Sequence, residues 1–314
     1  GTTISWKSSN PSVLSNEGKV TRPKKGAADE EVTLKGTVKM GDYAKARKFA
    51  FVVLAESEMG PTKEFALDQV ELLDDYYLTA QNSDIEFLKK FDNDRLLSRF
   101  RETAGLDTKK IAPYGGWEDG WLGGHSVGHY LTAIAQAVKA TGNADLKEKS
   151  KQLIKGLAEC QNKLGTGFIF GAKIETEGYV EKQFDILEGK TTGKTWVPWY
   201  NMHKMLTGLV DTYKYTGNKQ ALEVAKKLGD WIYNRVSKWD AGTQGRVLGT
   251  EYGGMNDCLY ELYLCTRDSK HLEAAHKFDE PNLYKTVAKG GKNCLNGKHA
   301  NTTIPKFLGA LKRY

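Results

Sequence analysis

Four short stretches of this chain carry polar and aromatic side chains of a kind that seldom cluster without a chemical reason. They are Gly-Gly-His125-Ser-Val-Gly-His129-Tyr130, Trp196-Val-Pro-Trp199-Tyr200-Asn201-Met-His203-Lys204, Glu251-Tyr252-Gly-Gly-Met255-Asn256-Asp257, and His299-Ala-Asn301-Thr302. Imidazole, carboxylate and amide groups donate and accept the hydrogen bonds that ring hydroxyls need, and Trp117, Trp121, Trp196 and Trp199 offer flat apolar faces for a sugar ring. The combination fits a carbohydrate, with His125, His129, His203, Glu251, Asn256, His299 and Trp199 as the expected contacts. His125 and His129 stand four residues apart, on one helical face, the spacing of a metal pair. The metalloprotease pattern requires Glu after the first His, and Ser126 stands there, so no metal ligand is assigned. His271 and His276 read as surface residues of another helix.

The four stretches recur at equivalent places in a repeat. Three helix pairs are predicted, each joined by a similar turn: Thr141-Gly142-Asn143, Thr216-Gly217-Asn218 and Thr266-Arg267-Asp268. An apolar helix precedes each turn, around 130–135, 205–210 and 258–263. A Lys/Glu-bearing amphipathic helix follows, over 146–157, 221–236 and 272–278. Such pairing implies an inner helix buried on most sides and an outer helix with one wet face. The pairs can stack as an open solenoid or close into a ring; their long, uneven connections favour the ring. In a ring, the starts of all inner helices meet at one mouth, and the four stretches converge on one pocket.

Residues 1–55 have a different texture. Ile4-Ser5-Trp6, a turn at residues 16–19, an alternating run over 32–38 and a final run over 44–55 predict short strands of part of a sandwich. Residues 56–64, with Gly60-Pro61, read as a linker, and 65–314 as the helical domain. The fold expected is therefore mainly α, an incomplete helical-hairpin barrel behind a small β-sandwich segment.

Of 314 residues, 39% are hydrophobic, and no window approaches the roughly 20 apolar residues of a membrane helix. The net charge of +7 is spread over single and paired lysines rather than a basic stripe, so nucleic acid is not the expected partner. Four cysteines, at 160, 258, 265 and 294, form no CxxC pair and read as small buried side chains. The absence of a starting Met and a helix still running at Tyr314 suggest that both ends are cut.

From about Phe65 onward, the segments FALDQVELLDDYYLTAQ, DRLLSRFRETAGL, GGHSVGHYLTAIA, WVPWYNMHKMLTGLVDTYKYTGN, EYGGMNDCLYELYLCT and LNGKHANTTIPK resemble, in order, the β-L-arabinofuranosidases of glycoside hydrolase family 127. Three positions depart from the usual pattern: Gly123 where Arg is common, Ser126 where Phe is common and Asp257 where Glu is common. The resemblance implies a retaining hydrolase on an (α/α)6 barrel that acts on arabinose-containing glycans. It also implies zinc, which activates a cysteine thiolate as nucleophile, and a glutamate acting as acid and base. The family's zinc ligands lie in a Glu-x-Cys element and a Cys-Cys pair, and neither occurs here. The zinc ligands are thus expected outside this sequence, the chain is expected to lack the catalytic machinery, and only the pocket residues are carried over. Residues 1–55 resemble bacterial immunoglobulin-like modules of exported proteins, which implies an extracellular or cell-surface location. Two other readings stay open: a non-catalytic glycan-binding surface protein, and another (α/α) barrel enzyme such as a polysaccharide lyase.

Overall fold

The computed structural model describes residues 1–56, 64–172, 179–290 and 294–313. It divides into two compact units, Gly1–Phe65 and Ala66–Tyr314. The predicted linker falls almost wholly outside the described residues.

The first unit holds one antiparallel sheet of three strands, β1 (Thr2–Ser8), β2 (Glu30–Met40) and β3 (Tyr43–Val53), in the order β1-β2-β3. Ile4 faces Val38 across the first pair, and Leu34 faces Phe49 across the second. Leu14, Val32 and Val53 form a small core on one side. On the sheet, Trp6 lies over Gly36, where a Cβ would stand 2.7 Å from the indole, and its ring centroid is 5.8 Å from that of Phe49.

The second unit is helical. It opens with two helices, α1 (Asp75–Lys89) and α2 (Asn93–Thr103). Asp92 separates them, because its carboxylate accepts the free amides of Asp94 and Arg95 and starts a new helix there. Three hairpins follow: α3 (His125–Thr141) with α4 (Ala144–Leu164), α6 (Pro198–Thr216) with α7 (Lys219–Val236), and α9 (Met255–Thr266) with α10 (Ser269–His276). Short helices α5 (Lys182–Leu187), α8 (Ala241–Leu248) and α11 (Pro281–Ala288) lie in the connections, and α12 (Ala300–Arg313) ends the described chain.

The three hairpin turns share one chemistry. Gly142, Gly217 and Arg267 close the first helix in the left-handed region, at φ of 70°, 72° and 57°. Asn143, Asn218 and Asp268 then cap the second helix by accepting the amides of Leu146, Ala221 and Lys270. Arg267 carries out with a side chain what glycine does in the other two turns.

The inner helices pack in chain order, α3 on α6, α6 on α9 and α9 on α12, while α4, α7 and α10 form the outer row. The main core lies between the rows. The connection after α4 contributes much of it: Phe168, Phe170 and Phe184 pack with Trp199, Trp231, Trp239 and Phe278, with ring centroids 4.6–6.1 Å apart. Trp199 is 1% exposed within this cluster. It is core, and its expected role as a sugar platform is corrected. His271, expected at the surface, is likewise buried, whereas His276 is exposed.

Candidate functional site

The start of α3 is a set of amide donors that its own N-cap cannot satisfy, because Gly124, without a side chain, occupies that position at φ 90°. Glu118, in a 3-10 turn over Gly116–Glu118, supplies the cap from outside the helix. One carboxylate oxygen accepts the Gly124 amide at 2.6 Å, and the other accepts the Ser126 amide at 2.9 Å and lies 2.9 Å from His125 Nδ1. His125 Nδ1 is also 2.6 Å from the Leu122 carbonyl, so both of its neighbours are acceptors and Nδ1 carries a proton.

Burial works to raise the Glu118 pKa, but the His125 ring and the two amides outweigh it, and the net shift is downward. Burial likewise works to lower that of His125, while Glu118 and the Leu122 carbonyl outweigh it and raise it. The raised imidazole stabilises the fold below its unfolded value, and this contribution is lost as pH rises through the folded value. The lowered carboxylate stabilises above its unfolded value, and its contribution is lost as pH falls through the folded one. Both operate together between about pH 4.5 and 6.5. Glu118→Gln is therefore expected to lower the His125 pKa, read by NMR titration of the ring, and to cost about 1–2 kcal/mol as the helix cap weakens. An unchanged His125 titration would remove the pairing from the account.

His125 lies at one end of a cavity of about 390 Å³, lined by Trp117, Leu122, His125, Trp196, Val197, Tyr200, Glu251, His299 and Asn301. Its walls come from the turn before α3, the start of α6, the segment before α9 and the start of α12. Of the seven expected contacts, it brings together His125, Glu251 and His299. Trp117 and Trp196 are 70% and 47% exposed, and they present the aromatic surface that Trp199 does not. The Tyr200 ring centroid is 6.1 Å from that of His125, with the Lys204 ammonium 4.9 Å from the tyrosine ring centre. Asn201 fixes α6 to the turn before α3 by donating to the Trp121 carbonyl at 2.7 Å.

The other expected contacts lie elsewhere. His129 is exposed one turn along α3, its ring centroid 6.0 Å from that of His125. Desolvation by its neighbours and the Lys204 charge hold its pKa down; solvent along the exposed edge of the ring screens part of this effect. His203 is buried, and its Nδ1 accepts the Gly254 amide at 3.0 Å. Burial and Lys204 hold its pKa well below the usual range, so it stays a neutral acceptor that sets the turn into α9. Asn256 is wholly buried. Its amide nitrogen reaches Asp279 Oδ1, the Tyr284 hydroxyl and the Lys306 carbonyl at 3.1–3.2 Å, and its oxygen accepts the Asp257 amide. Both polar atoms of the Asn256 side chain thus have protein partners, and neither Asn256 nor His203 is among the residues that line the cavity. Glu118 escaped the sequence reading. Its one signal is a carboxylate six and eight residues ahead of two helix-start amides, in Trp117-Glu118-Asp119-Gly120.

The cysteines do not fit the zinc centre that the resemblance implies. Burial raises the Cys160 thiol to about 11 and raises those of Cys258 and Cys265, the opposite of what a metal-binding thiolate requires. Among the described residues all four are free, and none belongs to a cluster of metal-ligating side chains. No helix is long and apolar enough to cross a membrane among those residues.

A comparison with curated proteins finds no match. Among solved structures, the chain is similar to a GH127 β-L-arabinofuranosidase from Geobacillus stearothermophilus T6. The identity is 16% and the TM-score 0.41, over 74% of this chain and 34% of that one. A second GH127 β-arabinofuranosidase gives 16% identity and a TM-score of 0.46, over 70% of this chain and 34% of the other. The chain thus spans about a third of the length of each. Residues 1–56 match the profile of an atrophied bacterial Ig domain. Residues 69–314 match that of the β-L-arabinofuranosidase GH127 catalytic domain, and the chain belongs to that family.

Proposed function

We propose that the protein is a glycoside hydrolase that releases terminal arabinofuranose from glycans, and that the cavity between Trp117 and Trp196 receives the sugar. The observation that carries this reading is the convergence of His125, Glu251 and His299 from separate segments with two exposed indole faces, in a chain of this family. His125 turns Nε2 to a ring hydroxyl, Glu251 accepts from another, and an indole covers the apolar face of the ring. The residues of this cavity bind and orient the sugar. The reaction proceeds with retention, so the first-formed anomer seen by proton NMR keeps the configuration of the substrate. The Ig-like segment supports a place at or outside a bacterial cell surface, which cell fractionation checks.

Hydrolysis of an aryl β-L-arabinofuranoside tests the activity. Trp196→Ala is expected to lower kcat/KM by roughly tenfold, the upper end of what one ring stack of about 0.5–1.5 kcal/mol provides, while circular dichroism stays unchanged. Equal kcat/KM in the variant would remove the sugar from this cavity. Binding of arabinosides without turnover would favour a glycan-binding protein instead.

A further inference from the structure

At the seam between the outer helices α7 and α10, on residues that do not line the cavity, a buried imidazole faces a carboxylate. His271 is 1% exposed. Its Nδ1 lies 2.8 Å from Thr266 Oγ1, and that hydroxyl lies 2.9 Å from the Leu262 carbonyl. A hydroxyl has one hydrogen. If it goes to the carbonyl, which accepts only, Nδ1 carries the ring proton and Nε2 keeps a bare lone pair. Nε2 is buried without a hydrogen-bond partner, and so is the nearest carboxylate oxygen, Asp230 Oδ1, at 3.8 Å. Two lone pairs facing each other in a protein interior repel unless a positive charge lies between them.

We propose that His271, Asp230 and Asp268 bind a first-row divalent cation of the zinc type, which pins α10 to α7. The three ligand atoms lie within 4.8 Å of one another. Ligands at about 2.0–2.1 Å from a tetrahedral zinc stand about 3.4 Å apart, so the two carboxylates, both partly exposed, close the site by rotation. Gly229 keeps the approach open, since a Cβ there would stand 2.7 Å from Nε2. Lys270 Nζ, 3.7 Å from Asp230 Oδ1 and half exposed, competes for the carboxylate and swings into solvent when the cation enters. One imidazole with two carboxylates suits zinc, cobalt or manganese better than calcium, which prefers an all-oxygen shell. No cysteine takes part, which separates this site from the zinc-thiolate centre of the family.

The test is titration of the chelator-treated 314-residue chain with Co2+ and Zn2+, followed by visible absorption and calorimetry. One ion per chain is expected, with cobalt d–d bands and no thiolate charge-transfer band. Asp230→Asn is expected to weaken Zn2+ at least about tenfold and to abolish the rise in Tm on adding zinc. Because the Asp230 side chain is 45% exposed, this variant tests the site without emptying the core as His271→Gln could. Absence of stoichiometric binding, a thiolate band, an affinity unchanged by Asp230→Asn, or binding of Ca2+ in preference to Zn2+ would each overturn the proposal.

Discussion

Arg235→Met is expected to destabilise the protein by about 3–5 kcal/mol, measured by urea unfolding at neutral pH. Its guanidinium, 8% exposed, bonds Glu188 at 2.5 Å and Glu181 at 3.2 Å, and it also bonds Asp185. Its carbon lies 5.4 Å from the ring centre of Phe184 and 5.6 Å from that of Trp231. Glu188 has no exposed side-chain surface, so removing the cation leaves a buried carboxylate beside two others. Methionine replaces the packing but not the charge, which makes the variant a measure of electrostatics. Lys190, on the far side of Glu188 at 2.5 Å, offsets only part of the loss because it is half exposed. Arg235→Lys should lose less, since the charge remains while the fork that reaches three carboxylates does not. A loss below about 1 kcal/mol for Arg235→Met would mean that the three acids relax into solvent.

Gly128→Ala is expected to cost about 3 kcal/mol or more, the upper range for overpacking. Helices α3 and α6 cross at Gly128 and Gly208. A Cβ at 128 would stand 2.1 Å from the Lys204 carbonyl oxygen, and one at 208 would stand 2.5 Å from the Gly128 oxygen. Both obstacles are backbone, so relief requires the helices to separate along their whole length, and the mouth would widen with them. Gly156→Ala is the control. Its Cβ would meet the Leu97 side chain at 2.3 Å, a group that can turn away, and a loss of about 1 kcal/mol is expected. Equal losses by calorimetry for the two variants would show that α3 and α6 slide apart easily.

The hairpins were legible in the sequence because their turns carry local chemistry. A threonine, a left-handed residue and an Asx cap lie within three positions, and each needs only its neighbours to act. The site was less legible because its members are sorted by distant partners. Trp196 and Trp199 are three residues apart, yet Trp196 precedes the first turn of α6 and borders the cavity, while Trp199 is inside that turn and enters the core. Asn256 looked available until Asp279, Tyr284 and Lys306, from the following connection and α12, were seen to use its amide. His271 looked like a surface residue because helical periodicity does not register that Gly229, on another helix, leaves room for its ring. Glu118 was missed for the same reason: the amides it satisfies belong to a helix that begins after it.

The two ends of the hairpins obey different rules of change. At the closed end, three residues must end one helix, reverse the chain and cap the next, so an insertion breaks a left-handed turn and its Asx cap at once. At the other end, the chain passes between hairpins through residues 165–197, 237–254 and 277–299, stretches long enough to hold short helices and to vary in length. Chain length added there alters the walls of the mouth while the helix crossings stay in register. A lineage can therefore change what the mouth admits by redrawing the rim, and the scaffold beneath records little of the exchange.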